Sequence, residues 1–161
     1  MKNFLLYAIV GLGFVAYNVV TQADRDASGS IVNGGNVDAF TIRPGDCFND
    51  ADAFGMDQAG EVSSLPGVPC SEPHDNEVYA VFEVSFTEFP GDDQIAVSAF
   101  EQCLVRFASF VGTAYESSTL DIAALYPSGQ SWSIQADREV ICAVYDMNGG
   151  KLEGTAKDSA I

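Results

Sequence analysis

The sequence predicts an α+β protein with one N-terminal transmembrane helix. A small antiparallel sheet follows, stabilised by disulfides and packed against one main helix. Three observations predict this class: a long apolar run at the start of the chain, a segment that alternates apolar and polar residues, and a segment whose apolar residues recur every four positions. The 161 residues leave room for one domain after the apolar run, since compact domains cluster at about 100 to 150 residues.

The apolar run is long enough to cross a membrane. It covers residues 4–20 and is apolar except for Asn18. A membrane-spanning helix needs about 17 to 25 such residues, whereas the core of a signal peptide has about 7 to 15. We therefore expect residues 1–23 to be an uncleaved membrane anchor. A removable signal peptide is the alternative, because Thr21 and Ala23 are small residues placed as a cleavage site requires.

The charges on either side of the run predict its orientation. Lys2 precedes the run, whereas all 23 acidic residues come after residue 23. Positive charge stays in the cytoplasm, so we expect a single-pass protein of the cell membrane with a cytoplasmic N-terminus and an extracytoplasmic C-terminal domain. Three small residues within the run offer a smooth face for packing against a neighbouring membrane helix: Gly11, Gly13 and Ala16.

The cysteines agree with export. The chain has four of them and one histidine, and no two cysteines form a C-x-x-C pair. Structural zinc sites usually take their ligands from close pairs, so disulfides are expected rather than a metal. The four positions are Cys47, Cys70, Cys103 and Cys142.

The net charge restricts the partners. It is −16, from 23 acidic and seven basic residues. Such a chain repels nucleic acid and anionic lipid headgroups, and its acidity keeps an exported domain soluble. The sequence has no phosphate-binding glycine loop outside the membrane run, and we expect neither a cofactor nor a small-molecule substrate.

Beyond the anchor, the chain divides into a linker and a domain. Residues 24–36 are small, polar and rich in glycine, which is typical of a flexible tether, and residues 37–161 are expected to form the extracytoplasmic domain. The strand of residues 77–86 is the clearest, and its alternation predicts a core face that includes Val78 and Ala80 and an opposite face that is mostly wet. Further strands are predicted at residues 37–42, 61–68, 120–126, 138–146 and 151–154.

One long helix is predicted at residues 94–111. Asp92 and Asp93 stand where a helix N-cap belongs, and Gly112 is placed to end the helix. Its apolar stripe has a step of four residues through Ile95, Ala99, Cys103 and Phe107. Four further apolar residues widen the stripe: Phe100, Leu104, Phe110 and Val111. Further on, residues 127–130 predict a turn and Trp132 the start of another strand.

Three groups of residues have side chains that could take part in catalysis or binding. Cys70 and His74 have the residue types of a nucleophile and its base, but an exported chain with paired cysteines favours a turn histidine that bonds a carboxylate. Trp132 is expected in the core, with Asp137 and Arg138 as a surface ion pair. The last group is a partial calcium loop, in which Phe54 replaces an oxygen ligand and the candidate ligands are Asp50, Asp52 and Glu61.

The order of motifs resembles the septum-formation domain family. The motifs that support this resemblance are GDCF at 45–48, VPCSEPHDNEVYAVF at 68–82, FPG at 89–91, AFEQCLVRFASFVG at 99–112, YPSGQSW at 126–132, DREVICAV at 137–144 and LEGT at 152–155. The resemblance implies a small extracytoplasmic domain without catalytic residues, of the kind that actinobacterial envelope proteins tether by one membrane segment. Two features depart from the family: Ala136 stands where a glycine is usual, and residues 155–160 only echo a Ser/Lys/Gly tail.

The predicted elements also suggest how the cysteines pair. Among three possible connectivities we predict Cys47 with Cys70, which closes the acidic loop, and Cys103 with Cys142, which clamps the helix to the sheet. Each bond is expected to add about 3 to 4 kcal/mol in the loop-entropy description.

Together, these observations predict a non-enzymatic, membrane-anchored interaction domain linked to the cell envelope or septum formation. Its partners would be other membrane or envelope proteins, and its contact with the membrane would be through residues 4–20. The alternative is an accessory single-span subunit of a larger respiratory or transport complex, held through the small residues of the anchor.

Overall fold

A computed structural model describes residues 21–50 and 62–161. Within these ranges, no helix has the length and apolar character that crossing a membrane requires. The predicted anchor with Gly11, Gly13 and Ala16 lies outside the described residues, as do Asp52 and Glu61 of the calcium loop.

A six-stranded antiparallel sheet forms the centre of the domain, and a two-stranded hairpin precedes it. The hairpin consists of β1 (Asp24–Arg25) and β2 (Ile31–Asn33). The order across the sheet is β3-β5-β4-β6-β8-β7. Its strands are β3 (Gly35–Asp38), β4 (Cys47–Phe48), β5 (Ser64–Val68), β6 (Asn76–Glu83), β7 (Leu120–Leu125) and β8 (Glu139–Asp146).

The long helix, α1 (Asp92–Val111), lies where the four-residue step predicts it. The step of four residues and Val111 are buried, as predicted, whereas Leu104 and Phe110 are partly exposed and Phe100 is 38% exposed. Gly91, rather than either aspartate, is the N-cap residue, and both aspartates lie in the first turn, where negative charge favours the helix dipole. Gly112 ends the helix with φ of 90°, a left-handed conformation that glycine adopts without strain. The prediction of an α+β fold with one main helix is therefore confirmed for the described residues.

Both faces of the sheet are covered, which corrects the prediction of one wet face. A helix-side cluster joins α1 to β6, β7 and β8, and includes Tyr79. An opposite-side cluster joins β6 and β8 to β5 and the hairpin, and includes Val78. A β-bulge between Val78 and Ala80 shifts the register against β8, so Ala80 falls on the helix side and Val78 on the other.

The prediction of a flexible tether over residues 24–36 is wrong. These residues form the hairpin and the first half of β3, and Ile31 is buried in the opposite-side cluster. The glycines serve close contact rather than flexibility: a Cβ on Gly35 would lie 2.6 Å from the carbonyl oxygen of Thr21. Sequence composition could not indicate this because the contacts are made with distant strands.

The predicted turn at residues 127–130 and strand at Trp132 are replaced by a short helix, α2 (Gly129–Ile134). Ser128 caps it: its side chain accepts a hydrogen bond from the backbone N–H of Ser131, and the Ser131 hydroxyl accepts one from the Ser128 N–H. This reciprocal cap supplies partners that a helix of six residues lacks internally.

The C-terminal segment packs across the domain instead of forming the predicted strand at residues 151–154. Only Leu152 pairs there, as an isolated bridge with His74. Further on, the backbone N–H groups of Asp158 and Ala160 donate to the carbonyls of Phe110 and Val111, both at 2.8 Å. The last residues of the chain thus satisfy carbonyls that the end of α1 leaves without helical partners.

The outer edge of β7 has side-chain partners on two of its backbone donors. The N–H of Leu120 donates to the hydroxyl of Ser118 at 3.0 Å, and the N–H of Ile122 donates to the Asp121 carboxylate at 2.7 Å. β8 is the only strand beside β7 in the described sheet, so these two donors point away from the sheet. Both donors therefore have hydrogen-bond partners without the addition of a further strand.

Candidate functional site

The cysteine and histidine of the Cys-x-x-Pro-His motif lie in a strap, residues 69–75, between β5 and β6. Cys70 is disulfide-bonded to Cys47, and Cys103 to Cys142, which are the two predicted pairs. The first bond joins the strap to β4, and the second joins α1 to β8. The sulfur of Cys70 is therefore not a free thiolate, which removes the nucleophile that a Cys/His pair requires.

His74 is fully buried in the strap. Its backbone exchanges hydrogen bonds with Leu152 at 3.0 and 2.8 Å. Its ring Nδ1 lies 2.7 Å from the carbonyl oxygen of Glu72, and because a carbonyl only accepts, the Nδ1–H is the donor. The partner is thus a backbone carbonyl and not the carboxylate that the sequence suggested. The ring Nε2 finds no hydrogen-bond partner among the described residues.

Glu77 is a buried carboxylate just after the strap, with 1% of its surface exposed. One oxygen accepts a hydrogen bond from the Thr155 hydroxyl and the other from the backbone N–H of Ala156, each at 2.6 Å. These bonds satisfy a charge whose burial would otherwise be costly. The alternation of the strand predicts a solvated position for Glu77, because it cannot reveal partners 78 and 79 positions further along the chain.

A salt bridge adds to the attachment of the C-terminal segment. Lys151 lies 2.6 Å from the carboxylate of Asp75 and donates to the side chain of Asn49 at 2.9 Å. Burial acts to raise the pKa of Asp75, but the hydrogen bonds from Lys151 and from the backbone N–H of Asp50 together outweigh it, and the pKa is lowered. The strap and the start of β6 thus hold residues 151–156 by several independent contacts.

These groups do not form a metal centre in the oxidised protein. Cys47, Cys70 and Glu77 have their potential ligand atoms within 4.8 Å of one another, but the two sulfurs are bonded to each other. Of the calcium candidates, the described residue is Asp50, whose carboxylate accepts a hydrogen bond from Asn76 at 2.7 Å.

A second cluster surrounds the only tryptophan of the chain. Trp132 is buried on α2, as expected of a core residue, between Phe89 and the guanidinium of Arg138, which lies 3.3 Å from the ring centroid. Arg138 therefore stacks on the ring instead of pairing with the carboxylate of Asp137, which accepts from Ser131. Ala136 has φ of 55°, which accounts for the glycine usual in the family.

A third cluster was not found from the sequence. Arg25 pairs with Asp46 through two hydrogen bonds of 2.5 and 2.7 Å, and hydrogen bonding to Asp46 raises the pKa of Arg25. Asp46 also lines a cavity of about 110 Å³, together with residues 28–30 and 43–45. The composition of residues 24–36 predicts a tether, and nothing in the sequence connects Arg25 to the turn at residues 43–46.

Helix α1 exposes apolar side chains to solvent. The exposed fractions are 57% for Val97, 38% for Phe100 and 78% for Val105, and Leu104 is partly exposed beside them. We call these four residues the outer face of α1. Val97, Phe100 and Leu104 are spaced three and four residues apart and therefore lie beside one another on the helix. Val105 follows Leu104 about 100° further round the helix.

The comparisons with known proteins agree with the motif order. A family model described as "Septum formation" matches residues 44–159. No curated protein matches the chain, and no solved structure does. The family match spans the sheet from β4 onward, the strap, both disulfides and both helices. The chain therefore belongs to the septum formation family.

Proposed function

We propose that the chain is a membrane-anchored, extracytoplasmic domain that acts in septum formation by binding another envelope protein, without catalysis. Membership of the septum formation family supports a role at the cell envelope or septum. One observation favours binding over turnover: the reactive side chains of the motif at residues 68–82 hold the fold together.

The strap illustrates this use. Cys70 is in a disulfide, His74 is fully buried with its Nδ1 donating to a backbone carbonyl, and Glu77 is buried with a donor on each oxygen. A general base must reach its substrate, and a nucleophile must be free to attack. These three groups meet neither condition, whereas they suit a rigid platform for recognition.

The outer face of α1 is the surface we assign to the partner. It presents exposed Val97, Phe100 and Val105 on a rigid helix whose other side is clamped to β8 by a disulfide. Apolar patches of this kind mark interaction sites when charged surface surrounds them. Because the chain has a net charge of −16, a second copy is repelled, and we expect a partner whose apolar patch is flanked by lysine or arginine.

Complementation of a deletion strain tests the proposal. The Val97→Glu/Val105→Glu variant should fold, since both side chains are exposed, but should fail to restore normal septa. The matched control, Gln94→Glu/Gln102→Glu, adds the same charge to exposed positions of the same helix and should restore them. Glutamate at 102 also keeps an acceptor for Arg106.

Other outcomes would contradict the proposal. Normal septa in the deletion strain would remove the role in septum formation. Full activity of the Val97→Glu/Val105→Glu variant would remove the outer face as the contact surface. Stoichiometric co-purification with a respiratory or transport complex in mild detergent would favour an accessory subunit instead.

A further inference from the structure

The folded domain begins directly after the apolar run, with no linker between them. The run ends at Val20, and the carbonyl oxygen of Thr21 already accepts a hydrogen bond from the backbone N–H of Asn36 at 2.9 Å. Ala23 donates its N–H to the carbonyl of Asn36 at 3.0 Å and packs against the opposite-side cluster. The chain therefore enters the sheet immediately after the apolar run.

The residues around this junction form one surface. A Cβ on Gly35 would lie 2.6 Å from the Thr21 carbonyl oxygen, and one on Gly34 would lie 3.2 Å from the Gly67 carbonyl oxygen, so these backbones touch. We call residues 21–23, 32–36 and 66–68 the junction edge. It lies at the β3 side of the sheet, where residues 21–23 run beside β3.

The junction edge is uncharged in a strongly acidic chain. None of its residues is Asp, Glu, Lys or Arg, although the chain has 23 acidic residues. It includes Val32, which is 47% exposed, and the adjacent Asp24 carboxylate accepts a hydrogen bond from Asn33 at 3.2 Å. A neutral surface can approach lipid headgroups without the repulsion that an acidic surface meets at an anionic leaflet.

We propose that the junction edge faces the lipid bilayer and fixes the orientation of the domain on the membrane. This inference rests on the proposed anchoring by residues 4–20. With β3 towards the bilayer, β7 lies on the far side of the sheet, about 24 Å away for strands spaced about 4.8 Å apart. The domain then meets its partner at a fixed distance from the bilayer, whereas a flexible tether would allow a range of distances.

The test uses the full chain in nanodiscs of phosphatidylcholine that contain a nitroxide-labelled headgroup. A fluorescent amino acid is placed at Asn33, on the junction edge, or at Glu116, an exposed residue of the turn that precedes β7. We expect several-fold stronger quenching at position 33 than at 116. A Gly/Ser linker of ten residues inserted between Val20 and Thr21 should make the two positions similar, because it gives a reach of roughly 17 Å.

The possible results separate the proposed anchoring from the proposed orientation. A chain that is not retained in membranes would overturn the proposed anchoring. An anchored chain with equal quenching at both positions, or with stronger quenching at position 116 than at position 33, would overturn the orientation alone.

Discussion

The Glu77 carboxylate accepts a hydrogen bond of 2.6 Å from the backbone N–H of Ala156. This bond fixes the C-terminal segment to the buried centre of the sheet. Glu77→Gln replaces an acceptor oxygen by an NH₂ group that faces a donor. The free energy of unfolding should fall by about 1 to 3 kcal/mol, as measured by urea denaturation. Glu83→Gln, at an exposed position of the same strand, is the control and should change it little. Equal effects at both positions would contradict a structural role for Glu77.

Ala136 adopts φ of 55°, which costs a residue with a Cβ about 1 to 2 kcal/mol. Ala136→Gly should therefore stabilise the protein by about 0.5 to 1 kcal/mol, after the greater chain entropy of glycine is subtracted. Ala108→Gly, in the last turn of α1, should have the opposite effect and destabilise by up to about 1 kcal/mol. Urea midpoints that shift in the same direction for both variants would contradict this account.

The two disulfides close loops of different length. Replacing either pair by alanine should cost about 2 to 5 kcal/mol. The loss of Cys103–Cys142 should be the larger, because it spans 39 rather than 23 positions and clamps α1 to β8. Urea unfolding of the two double variants under oxidising conditions measures the difference. A larger loss for Cys47–Cys70 would show that the strap carries more of the stability than α1 does.

Arg138 covers the face of Trp132, the only tryptophan of the chain. Arg138→Gln should lower stability by about 1 kcal/mol and shift the tryptophan emission, because the ring loses its cation. Arg106→Gln is a matched control: it removes the same charge from the ring of Phe82, with the guanidinium carbon 4.1 Å from the centroid. Its emission spectrum should remain that of the wild type. An unchanged spectrum in Arg138→Gln would argue against the stacking.

Tyr115 donates to the Asp121 carboxylate at 2.6 Å, and this hydrogen bond is the main reason that the pKa of Tyr115 is raised from 10.0 to about 12. The folded protein keeps this proton at pH values where an unfolded tyrosine loses it. Stability should therefore fall as pH rises from 10.0 to about 12. Tyr115→Phe should flatten that decline in urea midpoints. Burial also raises the pKa values of Tyr79 and Tyr145. These two residues should therefore cause the part of the decline that remains in the variant. An unchanged slope in the variant would contradict the assignment of this decline to Tyr115.

The features that the sequence predicted well are local or periodic. The step of four residues placed α1, and the even number of cysteines in elements that pack together gave both disulfides. The errors concern contacts between distant residues. Nothing within residues 24–36 indicates that Asn36 pairs with Thr21 and Ala23, and strand alternation cannot reveal a bulge at Tyr79.

The candidate site was less predictable for the same reason. His74 and Cys70 attracted attention because of their residue types, yet their roles depend on Leu152 and Cys47, which are far along the chain. Glu77 looked like an ordinary solvated acid, since its donors come from the C-terminal segment. The outer face of α1 follows from exposure, and hydrophobic periodicity alone does not separate it from the buried stripe.

The outer edge of β7 affects how copies of this domain can be packed together. A bare strand edge recruits identical edges and seeds fibres when molecules are concentrated in a thin layer. Here Ser118 and Asp121 occupy the donors of Leu120 and Ile122, and the carboxylate adds a negative charge at that border. Many copies can therefore crowd side by side in one plane and still remain separate molecules.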